Sequence, residues 1–263
     1  MRLEALVGRA RHLVYDARPR RVSVARFFAR DYWRLIAERP KPLLIAIGLL
    51  LGAAALGSLW AVENPAAAIG VVPEQFRAVT QPGHPWQDMS PSEQAAFTTS
   101  IFTNNIEVTL VAFAGGITAG ILTALSLVYN GLLVGVIGGL MVSAGNGAGF
   151  VDLVTAHGVL ELTCIVIGGT AGLRLGGALI DPGHEPRRVA LQREARRAVL
   201  LAFGTAPWLV VAGIVEGNRA RLAETGLGAV VAVGVSLGVI FWGLVLWRGR
   251  VRIGPSTWPA DTP

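Results

Sequence analysis

Seven polar side chains gather in and beside one long apolar stretch: Asn104, Asn105, Glu107, Asn146, Asp152, His157 and Glu161. The stretch, residues 106–180, contains four formally charged residues, Glu107, Asp152, Glu161 and Arg174, and one histidine. Ionisable groups in a membrane segment are costly and usually face a protein interior or a wet cavity, which makes them candidates for function. His157 and Glu161, four residues apart, share a helical face and can touch the same object. Imidazole and carboxylate are serviceable zinc ligands and partners in a proton relay. The same groups can instead form an interhelical hydrogen-bond cluster that holds helices in register. No HExxH accompanies them, so the packing reading is preferred and metal binding is left open. No serine, cysteine or paired-carboxylate constellation demands catalysis. The chain therefore reads as a non-enzyme without a cofactor.

Membrane helices must position these residues. The chain has 263 residues, 52% of them hydrophobic, with a mean hydropathy of +0.54, too apolar for an ordinary soluble domain. A helical crossing needs about 20 apolar residues. That requirement gives an all-α fold, a polytopic integral membrane bundle with about six spans at 43–62, 106–129, 132–151, 157–180, 198–215 and 226–247. Asn130-Gly131 reads as a tight inner turn, and the Ala-Gly-Asn-Gly-Ala-Gly run at 144–149 as a break in the third span. Residues 1–42 carry eleven Lys/Arg against four acids, residues 181–197 five Arg and residues 248–252 three, whereas the loop 63–105 carries Arg77 alone. The positive-inside rule then puts the N-terminal region 1–42 and the tail 248–263 in the cytoplasm, and the 63–105 loop outside. Topology thus accounts for the net charge of +6, and nucleic acid is not an expected partner. Arg174 is expected to snorkel to the inner surface rather than pair with Glu161. Cys164, the single cysteine, excludes an internal disulfide.

Two flanking segments read as amphipathic interfacial helices. In residues 22–39, Val24, Phe27, Phe28, Leu35 and Ile36 recur at helical spacing, while Arg26, Arg30 and Arg34 take other faces. Ser90-Pro91-Ser92-Glu93 has the form of a capping box opening a helix that carries Phe97 and Ile101. Glycines recur every four residues at Gly116 and Gly120, at Gly131, Gly135 and Gly139, and at Gly168, Gly172 and Gly176. Small residues at this interval allow close helix contact. Packing within the chain is the preferred use of them, and homo-oligomerisation the second.

A family resemblance rests on Asn104-Asn105 heading a glycine-rich span, Asn130-Gly131, His157-Gly158-Val159-Leu160-Glu161, and Ile167-Gly168-Gly169-Thr170-Ala171-Gly172-Leu173. In this order, over about residues 100–180, they resemble the stage II sporulation protein M family. The resemblance implies a multi-pass protein of the bacterial inner membrane without established enzymatic chemistry, whose founding member works with partner proteins in the engulfment machinery of sporulating cells. The expected role is a scaffold or component of an envelope-associated complex, with membrane lipids and protein partners. The alternative is a small transporter or channel for a proton, metal ion or lipid headgroup.

Overall fold

The computed structural model describes residues 23–77, 80, 90–218 and 225–250. The basic segment 1–22 and the tail 251–263 lie outside it. Every regular element among the described residues is helical. Helix α1 covers residues 24–37, with a π-helical turn at Phe27–Asp31. The long helices that follow are α2 (Pro40–Glu63), α3 (Pro91–Ala114) and α4 (Ile121–Ser143). A short α5 (Gly147–Leu153) runs through a π-helical turn, Val154–Gly158, into α6 (Val159–Ile180); α7 (Arg187–Gly217) and α8 (Leu227–Gly249) complete the bundle.

Five of these helices, α2, α4, α6, α7 and α8, are long and apolar enough to cross a membrane. Exposed Leu44, Leu51, Leu59, Ile121, Leu125 and Val239 are the surface that lipid covers in place of water. The first half of α3 is too polar to join the five, yet packing requires it to return the chain across the bundle. Gly131, Gly135 and Gly139 of α4 meet Leu50, Ala54 and Ser58 of α2 in the same order along both chains, so α2 and α4 run parallel. A helix between two parallel neighbours must run the other way, and 24 residues span about 36 Å at 1.5 Å each. Gly168, Gly172 and Gly176 of α6 likewise meet Thr109, Ala112 and Gly120 in ascending order, which aligns α6 with α3.

These seams are backbone against backbone. A methyl group at Gly139 would stand 2.5 Å from the Ser58 carbonyl oxygen, and one at Gly168 2.7 Å from that of Thr109. Gly131, Gly135, Gly172 and Gly176 leave still less room, and Gly116 faces the Gly172 backbone. The four-residue spacing is thus used within the chain, as the small-residue rule predicts.

The turn between α3 and α4 lies at 115–120 and not at Asn130-Gly131. After a 3-10 turn over Gly115–Thr118, Ala119 (φ 56°) and Gly120 (φ 82°) adopt left-handed conformations that end one helix and begin the next. Thr118 Oγ1 accepts from Leu122 N at 2.9 Å. Asn130 and Gly131 sit well inside α4, where Asn130 Nδ2 donates to Ser126 O at 2.8 Å and Gly131 lies on the Leu50 backbone. The helices expected at 106–129 and 132–151 are corrected accordingly to α3 and α4. The 144–149 run does interrupt the helix, with Gly145 at φ 82° in the turn before α5.

Helix α1 is amphipathic as expected, but protein covers its apolar face. Phe27, Tyr32, Trp33 and Ile36 are all buried against α7 and α8. Tyr32 Oη shares a hydrogen bond of 3.0 Å with Thr205 Oγ1, and a methyl at Gly204 would run into the Tyr32 ring. Trp33, Trp208 and Phe241 form edge-on pairs at 5.1–5.7 Å, each worth about 0.5–1.5 kcal/mol beyond burial. In the second flank the capping box forms as read, but the helix it opens is the first part of α3 and not a separate interfacial helix. Ser90 N donates to Glu93 Oε2 at 2.9 Å while Glu93 N donates to Ser90 Oγ at 3.3 Å, and Phe97 packs edge-on against Phe76 at 5.4 Å.

Candidate functional site

Three helices bring amides and a carboxylate together at the end of the bundle away from the arginines. Turning 100° per residue, α3 presents Ile101, Asn104 and Asn105 to a cavity shared with α4 and α6. The third residue of α6, Glu161, is fully buried, and its Oε2 accepts a hydrogen bond from Asn105 Nδ2. Asn105 is held in turn by its helix, its carbonyl accepting from Thr109 Oγ1 at 2.7 Å. Asn104, Asn105, Asn130 and Glu161 line a cavity of about 80 Å³ whose remaining wall is apolar, Phe150 and Leu153 among it. One water needs about 10–15 Å³ of such space, so the cavity has room for several.

Of the seven polar residues singled out, Asn104, Asn105 and Glu161 meet here. Asn130, read as a turn residue, joins them because it lies inside α4. Glu107 is exposed, about 200° round α3 from Asn105, and does not line the cavity. Asn146 is buried in the turn before α5, where its backbone N donates to Met141 O at 2.7 Å and its carbonyl accepts from Phe150 N at 3.1 Å. Asp152 lies half-buried on α5, away from the cavity lining. His157 belongs to the π-helical turn; its side chain, and so its pairing with Glu161, lies outside the described part of the structure. Among the described residues no three His, Cys, Asp or Glu side chains gather as a metal would require.

The opposite end of α6 holds a second constellation that sequence reasoning missed. Arg174 is 2% exposed and does not snorkel. Its Nε pairs with Glu194 Oε2 at 3.2 Å, one terminal nitrogen donates to Leu35 O at 2.8 Å, and the other reaches Glu38 Oε2 at 3.5 Å. Arg197 joins both acids, at 3.1 Å to Glu38 and 3.3 Å to Glu194, and Arg39 meets Glu194 at 3.2 Å. One guanidinium thus ties together α1, α6 and α7. Planar, permanently charged arginine suits such a junction, since its fork serves several acceptors at once. The signal was the presence of an arginine in an apolar run; its partner Glu194 was hidden in Arg193-Glu194-Ala195-Arg196-Arg197, which reads as a solvated face.

Fold and sites together define a multi-pass α-helical membrane protein with two internal polar junctions at opposite ends of its central helix. The sequence profile described as stage II sporulation protein M matches residues 43–221, and the chain belongs to that family. It is also 34% identical over 77 residues to an uncharacterized protein of Methanocaldococcus jannaschii, a match covering 29% of this chain and 43% of that protein. The chain therefore spans less than half the length of that relative. No solved structure matches the chain.

Proposed function

We propose that the protein is a non-catalytic scaffold in an envelope-associated complex of the bacterial inner membrane, with six crossings and both termini cytoplasmic. The observation that carries the reading is the way the bundle is locked. Two glycine seams join backbones directly, and Arg174 clamps three elements with ion pairs. Such packing favours a fixed surface for partners over rocking halves. Asymmetry of Lys and Arg supports the topology. An impermeant maleimide should label Pro85→Cys and spare His184→Cys in intact cells, both in a Cys164→Ala background; labelling of position 184 would overturn it. Purification in mild detergent should recover a stoichiometric envelope protein with the chain. Recovery of functional chain free of any such partner would sink the scaffold.

A small transporter or channel for a proton, metal ion or lipid headgroup is the second reading, and the cavity beside Glu161 is the observation that favours it. It requires an ionised carboxylate, so Glu161→Gln should abolish function while leaving the fold intact.

A further inference from the structure

At the basic end of the bundle, α1 and the last turn of α8 enclose a groove of about 360 Å³ lined by Arg26, Arg30, Asp31, Arg34, Trp247 and Arg248. Its volume is in the range of small-ligand sites, and four guanidinium groups face one carboxylate. Arg26, Arg30 and Arg34 succeed one another at four-residue spacing, where like charges repel. Asp31 offsets little of this, since it meets Arg26 at 4.0 Å with Arg26 half exposed. Arg248 is held in place, donating to Ala29 O with its guanidinium 5.1 Å from the centre of the Trp247 ring.

We propose that this groove binds a phosphate-bearing anion, in the membrane the headgroup of an anionic phospholipid. Guanidinium forks match phosphate oxygens two at a time, and an anion between these arginines would relieve their mutual repulsion. The lipid source follows from position. Trp247, 68% exposed, and Arg248 close the apolar run of α8, the place where tryptophan and arginine sit at headgroup depth. An acyl chain entering beside Trp247 would run along the lipid-facing surface of α8, where Val239 and Leu246 are exposed. The groove lies at headgroup depth whichever side of the membrane the basic end faces.

Native mass spectrometry of the full chain in neutral detergent tests it, with phosphatidylglycerol, phosphatidylcholine and inorganic phosphate titrated separately. One phosphatidylglycerol should bind at least about tenfold more tightly than phosphatidylcholine, and Arg30→Gln with Arg34→Gln should remove that preference. The pair Arg187→Gln and Arg188→Gln, exposed at the start of α7, removes equal charge and should leave it intact. Inorganic phosphate that binds as tightly as the lipid, and loses binding in the Arg30/Arg34 variant, would support the anion site with a soluble source. Equal binding of the two lipids, or equal losses in the two double variants, would overturn the proposal. If the Arg30/Arg34 double variant does not fold, the two single variants carry the same comparison.

Discussion

At one end of α6, Arg174 is surrounded by two carboxylates and a backbone carbonyl drawn from α7, α1 and the turn after it. About 20 Å away along the same helix, Glu161 meets a neutral amide and a small cavity. Both groups are buried, yet the junctions differ in kind. The arginine end uses opposite charges at short range, which are strong where water is excluded but punishing if one member is lost. The glutamate end uses a hydrogen bond between side chains, individually modest in bilayers, next to space that water can enter. One end is built to hold elements together, and the other can accept a change of contents.

The largest break in this comparison is expected from Arg174→Met. It removes the buried cation from between Glu194 and Glu38, which keep Arg197 as a shared partner, and should cost up to about 3–5 kcal/mol, the range for removing one member of a buried pair. Thermal unfolding in detergent should show it as a collapse in folded yield. Arg174→Lys should fall between, because an ammonium cannot serve Glu194, Glu38 and the Leu35 carbonyl with one planar fork. Wild-type stability in the Met variant would mean that the network is incidental to the fold.

How much of this was legible in the sequence follows from what each residue's neighbours look like along the chain. Hydropathy locates α2, α6 and α8 closely but only the apolar part of α7, which begins at Arg187 and not at 198, and the capping box at Ser90 and Glu93 marks the start of α3, because these signals are local. The 115–120 turn escapes the same reading, since Gly, Ala, Ile and Thr are too apolar to punctuate a membrane helix. Asn130-Gly131 misleads for the converse reason. A polar pair that signals a turn in water is helical here, its amide satisfied by Ser126 O and its glycine used for contact. At the site, Asn104, Asn105 and Glu161 are recognisable as costly polar residues in apolar surroundings. Glu194 is not, because the arginines beside it read as a solvated face, while Arg174 and Arg39, its partners from outside α7, lie 20 and more residues away.

The glycine seams connect the two ends, and replacing one should separate close packing from polar bonding. Gly172→Leu and Gly135→Leu drive a side chain into the backbone of α3 or α2 and should destabilise by about 1–3 kcal/mol or more. Gly48→Leu and Gly52→Leu, where nothing lies within 4 Å of the added carbon, should be neutral or slightly favourable through helix propensity. Equal melting temperatures for all four would refute close packing as the source of rigidity.

Glu161 provides a sharper and smaller test of the cavity end. Glu161→Leu removes the acceptor of Asn105 and should cost about 1–2 kcal/mol or less. Glu161→Gln keeps most of the bonding capacity and should be milder still in thermal stability. Cellular complementation then separates scaffold from transport: a Gln variant that folds and complements leaves the carboxylate as packing, whereas one that folds and fails assigns it ion chemistry.

The smallest effect is expected where the cavity end depends on water. Glu93 lies in the exposed capping box that starts α3, the helix that carries Asn104 and Asn105 to the cavity. Hydrogen bonds from the Ser90 hydroxyl and backbone hold its carboxyl below the ordinary glutamate range. A carboxylate whose pKa is depressed by folding adds stability above its unfolded pKa, and that contribution is lost as pH falls through the folded value. Acidification from neutral pH to below about 4 should therefore fray the first turns of α3. Amide hydrogen exchange, corrected for its intrinsic pH dependence, should report loss of protection around residues 92–96. Ser90→Ala should fray the same turns at neutral pH and remove most of the acid response. Residues 227–240 of α8 carry no carboxylate, so peptides covering them should keep their protection across this range. Loss of protection in both regions together would mean that acid acts on the whole bundle and not on the α3 cap.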